Sequence, residues 1–309
     1  MARVRYDRLA TEQPNPASRA LDRMSPLAIA RLMNREDAQA VRALGRETRN
    51  VAAAVELIVA TLRRGGRLFF VGAGTSGRLG VLEAAECPPT FGTPPRLVQA
   101  IIAGGRGAVF RSREGAEDDA RAARRAVRAR VRAGDVVVGV SASGVTPFVR
   151  GALVAARARG AETVLVACNP PGRRPSDARV VIAPAPGAEV LAGSTRLKAG
   201  TVTKLVLNTL TTATMTRLGK VYGNRMVDLR PRSRKLRERA ARLVAELGGV
   251  SPTRARRALS SAGNRARVAI VMVRGGVTAG AAARLLRAEA GDLRAVLRRL
   301  GGRSGSTRA

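Results

Sequence analysis

Five short apolar runs, each bounded by turn-forming residues, set the narrowest limit on how this chain can fold. They are RLFFVGA (67–73), LVQAIIA (97–103), DVVVGVSA (135–142), ETVLVACN (162–169) and ARVVIAPA (178–185). Most are apolar throughout instead of alternating, the pattern of strands covered on both faces. Helical stretches lie between several of them, at Glu117–Arg132 and Pro147–Arg159. Strands alternating with helices predict an α/β fold: a parallel sheet flanked by helices on both faces, a Rossmann-like three-layer arrangement. Open sheets of this kind bind ligands beyond the carboxyl ends of their strands.

Around this core, helical patterning runs from about Pro26 to Ala43. It resumes with Val51, Val55, Ile58, Val59 and Leu62 at helical spacing, up to Gly65-Gly66. Another long helix is expected over Lys198–Leu218, and strand signals stop beyond about Arg230. The expected organisation is an N-terminal helical segment (1–50), a ligand-binding domain (51–230), a small C-terminal helical domain (235–299) and a disordered tail (300–309).

Composition narrows the chemistry. The chain has no histidine, which removes the commonest general base and the commonest metal ligand. Catalysis would have to rest on carboxylates, lysine, tyrosine, cysteine or hydroxyls, and no spacing of acids or cysteines suggests a metal site. The formal charge of +34 comes almost entirely from arginine, since only Lys198, Lys204, Lys220 and Lys235 are lysines. A basic surface attracts nucleic acid, but the charge is spread along the chain and aromatics make up 2%, too few to stack on bases. Nucleic acid is therefore not the expected partner. The N-terminus lacks the apolar core of a signal peptide, and no run of about eighteen apolar residues occurs, so a cytoplasmic protein with no membrane partner is expected. Cys87 and Cys168 give no disulfide framework.

Two loops of similar construction follow strands and precede helices. The first, Gly72-Ala73-Gly74-Thr75-Ser76-Gly77, lets the backbone approach a ligand and offers free N–H groups at a helix start, expected at Arg78. The second is Ser141-Ala142-Ser143-Gly144-Val145-Thr146-Pro147, with proline near the first helical position. Either set of hydroxyls could simply cap its own helix. Together they suit a small phosphorylated ligand held by Gly74, Thr75, Ser76, Ser141, Ser143, Gly144 and Thr146.

These loops resemble those of sugar isomerase (SIS) domains, which bind phosphosugars. More specifically, the chain resembles the bacterial N-acetylmuramic acid 6-phosphate etherases in TEQPNPAS (11–18), GAGTSGRLGVLEAAECPPTFGTPP (72–95), EGAEDD (114–119), SASGVTP (141–147), GSTRLKAGT (193–201) and KVYGNRMVDL (220–229). The match runs in family order over about residues 8–230, and the helical C-terminus also fits. It departs from the family at Glu83, usually aspartate, at Val145, usually arginine, and at Ser141, commonly alanine.

The resemblance implies cleavage of a sugar lactyl ether by one acid and one base, with no metal or redox cofactor. It places these at Glu86 and Glu117, with Glu86 protonating the leaving lactate and later activating water, and Glu117 handling the C2 proton. Apolar Pro88, Pro89 and Phe91 would enclose Glu86, and the double proline would end its helix about two and a half turns from the glycine loop. The bland readings are that Glu86 is a solvated acid at a helix end, and that Glu117, Asp118 and Asp119 are first-turn acids. Glu83 reads as a surface residue and Cys87 as a small buried one. Arg196 and Lys198 are candidates for the substrate's carboxylate or phosphate, and Asn169 and Glu189 for the cleft wall. The resemblance also implies a homodimer whose N-terminal segment completes the partner's site. The rivals are a phosphosugar isomerase and a non-catalytic sugar-phosphate sensor.

Overall fold

A computed structural model of the chain describes residues 7, 9–170, 175–228 and 234–303. The five apolar runs form one parallel sheet: β1 (Leu68–Gly72), β2 (Val98–Ile102), β3 (Val136–Ser141), β4 (Glu162–Ala167) and β5 (Val180–Ile182), in the order β2-β1-β3-β4-β5. Every residue of β1 and β3 is buried, which explains their unbroken apolar sequence.

Two compact units divide the chain, one of residues 1–85 and 95–212, the other of 86–94 and 213–309. In the first, α4 (Ala120–Arg130) and α5 (Pro147–Ala158) supply Ala123, Val127, Phe148, Val149 and Leu153, which bury Phe69, Val71, Val137 and Leu165 on one sheet face. The remaining long helices before the second unit's own are α1 (Pro26–Gly45), α2 (Thr48–Arg63), α3 (Gly74–Phe91) and α6 (Lys198–Arg217); α2 packs on β4 and β5, and Gly80 of α3 lies against Phe70 of β1. Ala40, Cys168, Ala199 and Val202 pack together.

Two expectations about α3 change. It begins at Gly74, not Arg78, so Thr75 and Ser76 belong to its first turn. The residue before Gly74 is Ala73, which has no oxygen to cap with, so neither hydroxyl serves as the cap of this helix. The helix also runs through Pro88 and Pro89. These residues remove two backbone donors without ending it; Gly92 closes it in the left-handed region at φ 65, with its N–H on the Pro88 carbonyl at 3.0 Å.

The turn from β1 into α3 is tight because Gly72 and Gly77 lie against one another. A Cβ on Gly77 would stand 2.6 Å from the Gly72 carbonyl oxygen, with backbone on both sides of the clash. Gly77→Ala is therefore expected to destabilise the protein by about 1–3 kcal/mol, read as a lowered midpoint in thermal or urea unfolding; an unchanged midpoint would contradict this packing.

The second unit contains a hairpin not anticipated from sequence, β6 (Val221–Tyr222) and β7 (Arg225–Met226), and the helices α7 (Arg234–Gly248), α8 (Pro252–Ser261), α9 (Ala266–Gly275), α10 (Ala279–Ala288) and α11 (Leu293–Arg303). Val227 is fully buried among these helices, with Tyr222 and Met226 packed against the same core. The hairpin thus joins the helical unit, which extends from residue 213 instead of 235. The expected tail loses its first residues to α11, and 304–309 lie outside the described residues, as does Leu229 of the KVYGNRMVDL motif. Among the described residues no single helix is long and apolar enough to cross a membrane.

Candidate active site

A cleft of about 400 Å³ opens at the carboxyl ends of β1 and β3, where both glycine- and serine-rich turns emerge. Its wall includes Gly74, Thr75 and Ser76 from α3, Ser141, Ser143 and Thr146 from the second loop, and Glu117. Of the nine residues assigned from sequence to the phosphate loops and the acid–base pair, these seven come together. Gly144 is not in the wall; at φ 78 it turns the loop, and its N–H donates to Ser141 Oγ at 3.0 Å.

The three hydroxyls form a triangle. Ser141 Oγ lies 2.7 Å from Thr146 Oγ1 and 3.3 Å from Ser143 Oγ, and the last two are 3.4 Å apart. Each hydroxyl carries a rotatable proton that can turn from its neighbour to an anion oxygen. Thr146 is the residue before α5 but makes no side-chain cap, which leaves its oxygen to this cluster. Opposite it, the first turn of α3 directs its unbonded N–H groups outward, and the helix dipole favours negative charge there. The cleft wall contains neither lysine nor arginine, and Val145 keeps the loop without one.

Glu117 sits in a short 3-10 turn, Ala116–Asp118, ahead of α4. The cap of α4 is Asp119, whose carboxylate accepts the Ala122 N–H at 2.7 Å. Capping therefore does not account for Glu117, which lines the cleft with Asp118. Glu86 is exposed, as Glu117 is, but it lies on α3 and belongs to the second unit. Pro89 beside it is exposed too, so the apolar enclosure expected from Pro88, Pro89 and Phe91 does not form.

Other expectations are revised by burial. Glu83 is buried, not on the surface, and accepts from Lys204 Nζ at 2.5 Å and Thr211 Oγ1 at 2.7 Å. Lys198 is only 2% exposed, and its ammonium meets Glu36 at 2.6 Å instead of facing the cleft. Burial pushes the Glu36 carboxyl upward, but the hydrogen bonds from Lys198 and Asn15 and the Lys198 charge hold it below its ordinary value. Arg196 is exposed and outside the cleft wall. Glu189, fully buried, caps α6 by accepting the Lys198 and Ala199 N–H groups at 2.8 and 3.0 Å. Cys87 and Cys168 are both buried, and burial pushes the Cys168 thiol up to about 12, which excludes it as a nucleophile.

Asn169 is a fastener, not cleft wall. Its side chain accepts the Ala10 N–H at 2.8 Å and donates to Thr11 Oγ1 at 3.1 Å, while the Gly193 N–H reaches the Thr11 carbonyl at 3.0 Å. The N-terminal segment is therefore fastened beside the cleft of its own chain. This brings Glu12 into the wall beside Gly193 and Thr195. Glu12 stands in the TEQPNPAS motif but was not anticipated, because nothing in the local sequence shows which way an irregular segment folds back.

A roomier cavity, about 860 Å³, lies in the helical unit. Two of its cations, Lys220 and Arg267, are both committed to Asp228 at 2.6 Å. The sheet-end cleft, with its convergent donors and carboxylates, is the stronger site.

Residues 50–157 match the family model of the glucokinase regulatory protein N-terminal SIS domain. Among solved structures, a phosphoheptose isomerase from Francisella tularensis aligns with a TM-score of 0.49 at 16% identity, covering 62% of this chain and all of that one. Curated relatives are nearer. The chain is 50% identical over 291 residues to an N-acetylmuramic acid 6-phosphate etherase of Picosynechococcus sp., covering 94% of this chain and 97% of that protein. It is 52% identical over 287 residues to one of Trichormus variabilis, covering 93% and 94%. The chain belongs to the N-acetylmuramic acid 6-phosphate etherase family. Identity at this level spans both units, so the helical unit is part of the etherase chain and not an appendage peculiar to this sequence.

Proposed function

We propose that this protein cleaves the D-lactyl ether of N-acetylmuramic acid 6-phosphate, giving N-acetylglucosamine 6-phosphate and D-lactate, as a carbon–oxygen lyase. The observation that carries the reading is Glu117 in the wall of the same cleft as both phosphate-type turns. An alkyl ether is a poor leaving group, so direct hydrolysis is slow. Opening the sugar ring exposes an aldehyde at C1, which acidifies the C2 proton. Glu117 takes that proton as general base while the C3–O bond breaks, and the electron pair of the C2–H bond becomes the C2–C3 double bond. Glu86 is the second carboxylate of the scheme, on the strength of the family resemblance. It protonates the departing lactate oxygen, then deprotonates the water that adds at C3; C2 is reprotonated and the ring closes.

The phosphate is held by the first turn of α3 and the Ser141–Ser143–Thr146 hydroxyls, a handle that fixes the reacting carbons in place. The balance requires water alone and no redox partner. Assembly as a homodimer in the cytoplasm completes the proposal; apolar Leu27, Val41 and Leu82 on α1 and α3, left 40–59% exposed in one chain, support pairing of copies.

The test is incubation of the purified protein with N-acetylmuramic acid 6-phosphate in heavy water. Stoichiometric D-lactate and deuterium at C2 are expected. Binding of the sugar phosphate with no lactate released would leave a sensor, and isomerised sugar with the ether intact would leave an isomerase. A Glu86→Gln protein that releases lactate at the parent rate would remove Glu86 from the scheme.

A further inference from the structure

Resting on the proposed reaction, we infer that a small recess beside Glu117, lined by Arg78 and Arg113, receives the carboxylate of the substrate's lactyl arm. The proposed substrate carries two anionic groups, a phosphate on C6 and a carboxylate on the ether at C3. The cleft offers the first a ring of hydroxyls and helix N–H groups, and no cation for the second. The recess, of about 70 Å³, shares Ala73, Gly74 and Glu117 with the cleft, so Glu117 borders both. A base that removes the C2 proton must stand next to C3 and its substituent. The space adjoining that base is where the lactyl arm falls.

The recess sets two guanidinium groups beside two carboxylates, Glu117 and Glu114, and the latter already accepts the Ser112 hydroxyl at 2.9 Å. Arg78 lies one turn into α3 and uses its Nε–H on the Val109 carbonyl at 2.9 Å, which fixes the guanidinium and leaves its terminal N–H groups for a carboxylate. Arg113 runs across two glycines. A Cβ on Gly104 would stand 2.9 Å from its Cδ, and one on Gly107 would stand 3.1 Å from a terminal nitrogen. Neither arginine takes part in any ion pair formed among the described residues. Two guanidinium groups without an acid partner thus border one recess. Arginine is also the side chain suited to forked recognition of a carboxylate. This assignment replaces Arg196 and Lys198, which the sequence had suggested for the role.

Equilibrium binding tests the inference apart from turnover. In a Glu117→Gln background, calorimetry compares N-acetylmuramic acid 6-phosphate with N-acetylglucosamine 6-phosphate, which lacks the lactyl arm. The muramic sugar is expected to bind about tenfold tighter or more. Arg113→Gln, which keeps most of the methylene packing, and Arg78→Lys, which keeps the charge but loses the fork, should each shrink that preference to within about threefold. Affinity for N-acetylglucosamine 6-phosphate should stay within about twofold of the background protein. Equal weakening of both ligands would mean that the arginines serve the phosphate or the loop, and overturns the inference. So does a background protein that binds both sugars alike, or a preference unchanged by both substitutions. Absence of lactate release by the parent protein is a different failure: it removes the proposed reaction, while the binding comparison still judges the recess.

Discussion

Glu117→Gln is expected to slow D-lactate release by about three orders of magnitude while leaving affinity for N-acetylglucosamine 6-phosphate within about threefold. The reason is positional. Glu117 is in the wall of the cleft, and Asp119, not Glu117, caps α4 with its carboxylate on the Ala122 N–H at 2.7 Å. Glutamine preserves shape and polarity but cannot take a proton from C2, so the loss should fall equally on kcat and kcat/KM. Asp118→Asn is the control, because Asp118 lines the same cleft one residue along. A fall of less than tenfold for each variant in that pair would require a base elsewhere in the cleft. Glu12 is then the next carboxylate in the wall, so Glu12→Gln is the substitution to measure beside them.

The sheet was legible because its strands are buried on both faces. Each of the five apolar runs became a strand, with β1 and β3 buried at every position. The helix starts were legible where a side chain or proline marked them, as at Pro26 after Ser25 and at Pro147. At α3 the signal inverted. The helix starts on a glycine that follows alanine, so no capping oxygen announces it, and it passes through two prolines that would ordinarily announce its end. The hairpin of β6 and β7 has two residues a side, too few for any periodicity to show.

For the site, both turns and Glu117 were legible because each motif is local. What was not legible are pairings between residues far apart in the chain. Glu83 read as a surface acid because Lys204 and Thr211, which neutralise and bury it, are more than 120 residues away. Glu12 enters the cleft only because Asn169 and Gly193 fasten the segment that carries it. Lys198 sits in a motif that reads as a substrate-binding one, yet its partner is Glu36, on a helix 162 residues earlier.

That last pairing makes a large stability effect predictable. Lys198→Met is expected to cost about 3–5 kcal/mol, because it leaves the Glu36 carboxylate buried without its direct ion-pair partner, the Arg35 charge being a weaker influence. The two side chains are 2% and 6% exposed and 2.6 Å apart, and Glu36 keeps only the amides of Asn15 at 2.8 Å and Gln39 at 3.0 Å. For a chain of this size the midpoint of thermal unfolding should fall by on the order of 10 °C. Adding Glu36→Gln to Lys198→Met should recover at least half of the loss, since no isolated charge then remains. The pH dependence has a definite sign. Glu36 titrates lower in the folded protein than its ordinary 4.5, so its contribution is complete above about pH 4.5 and is lost as pH falls through the folded value. The acid limb of the parent's stability curve should therefore lose this component in the Lys198→Met, Glu36→Gln protein. A single variant that melts within about 2 °C of the parent would show that the pair is not carrying a buried charge. Because Lys198 opens α6 directly after the Gly193–Thr195 turn in the cleft wall, the same variant should raise KM more than it lowers kcat. A fall in kcat with KM unchanged would show that the pair does not hold that turn in place.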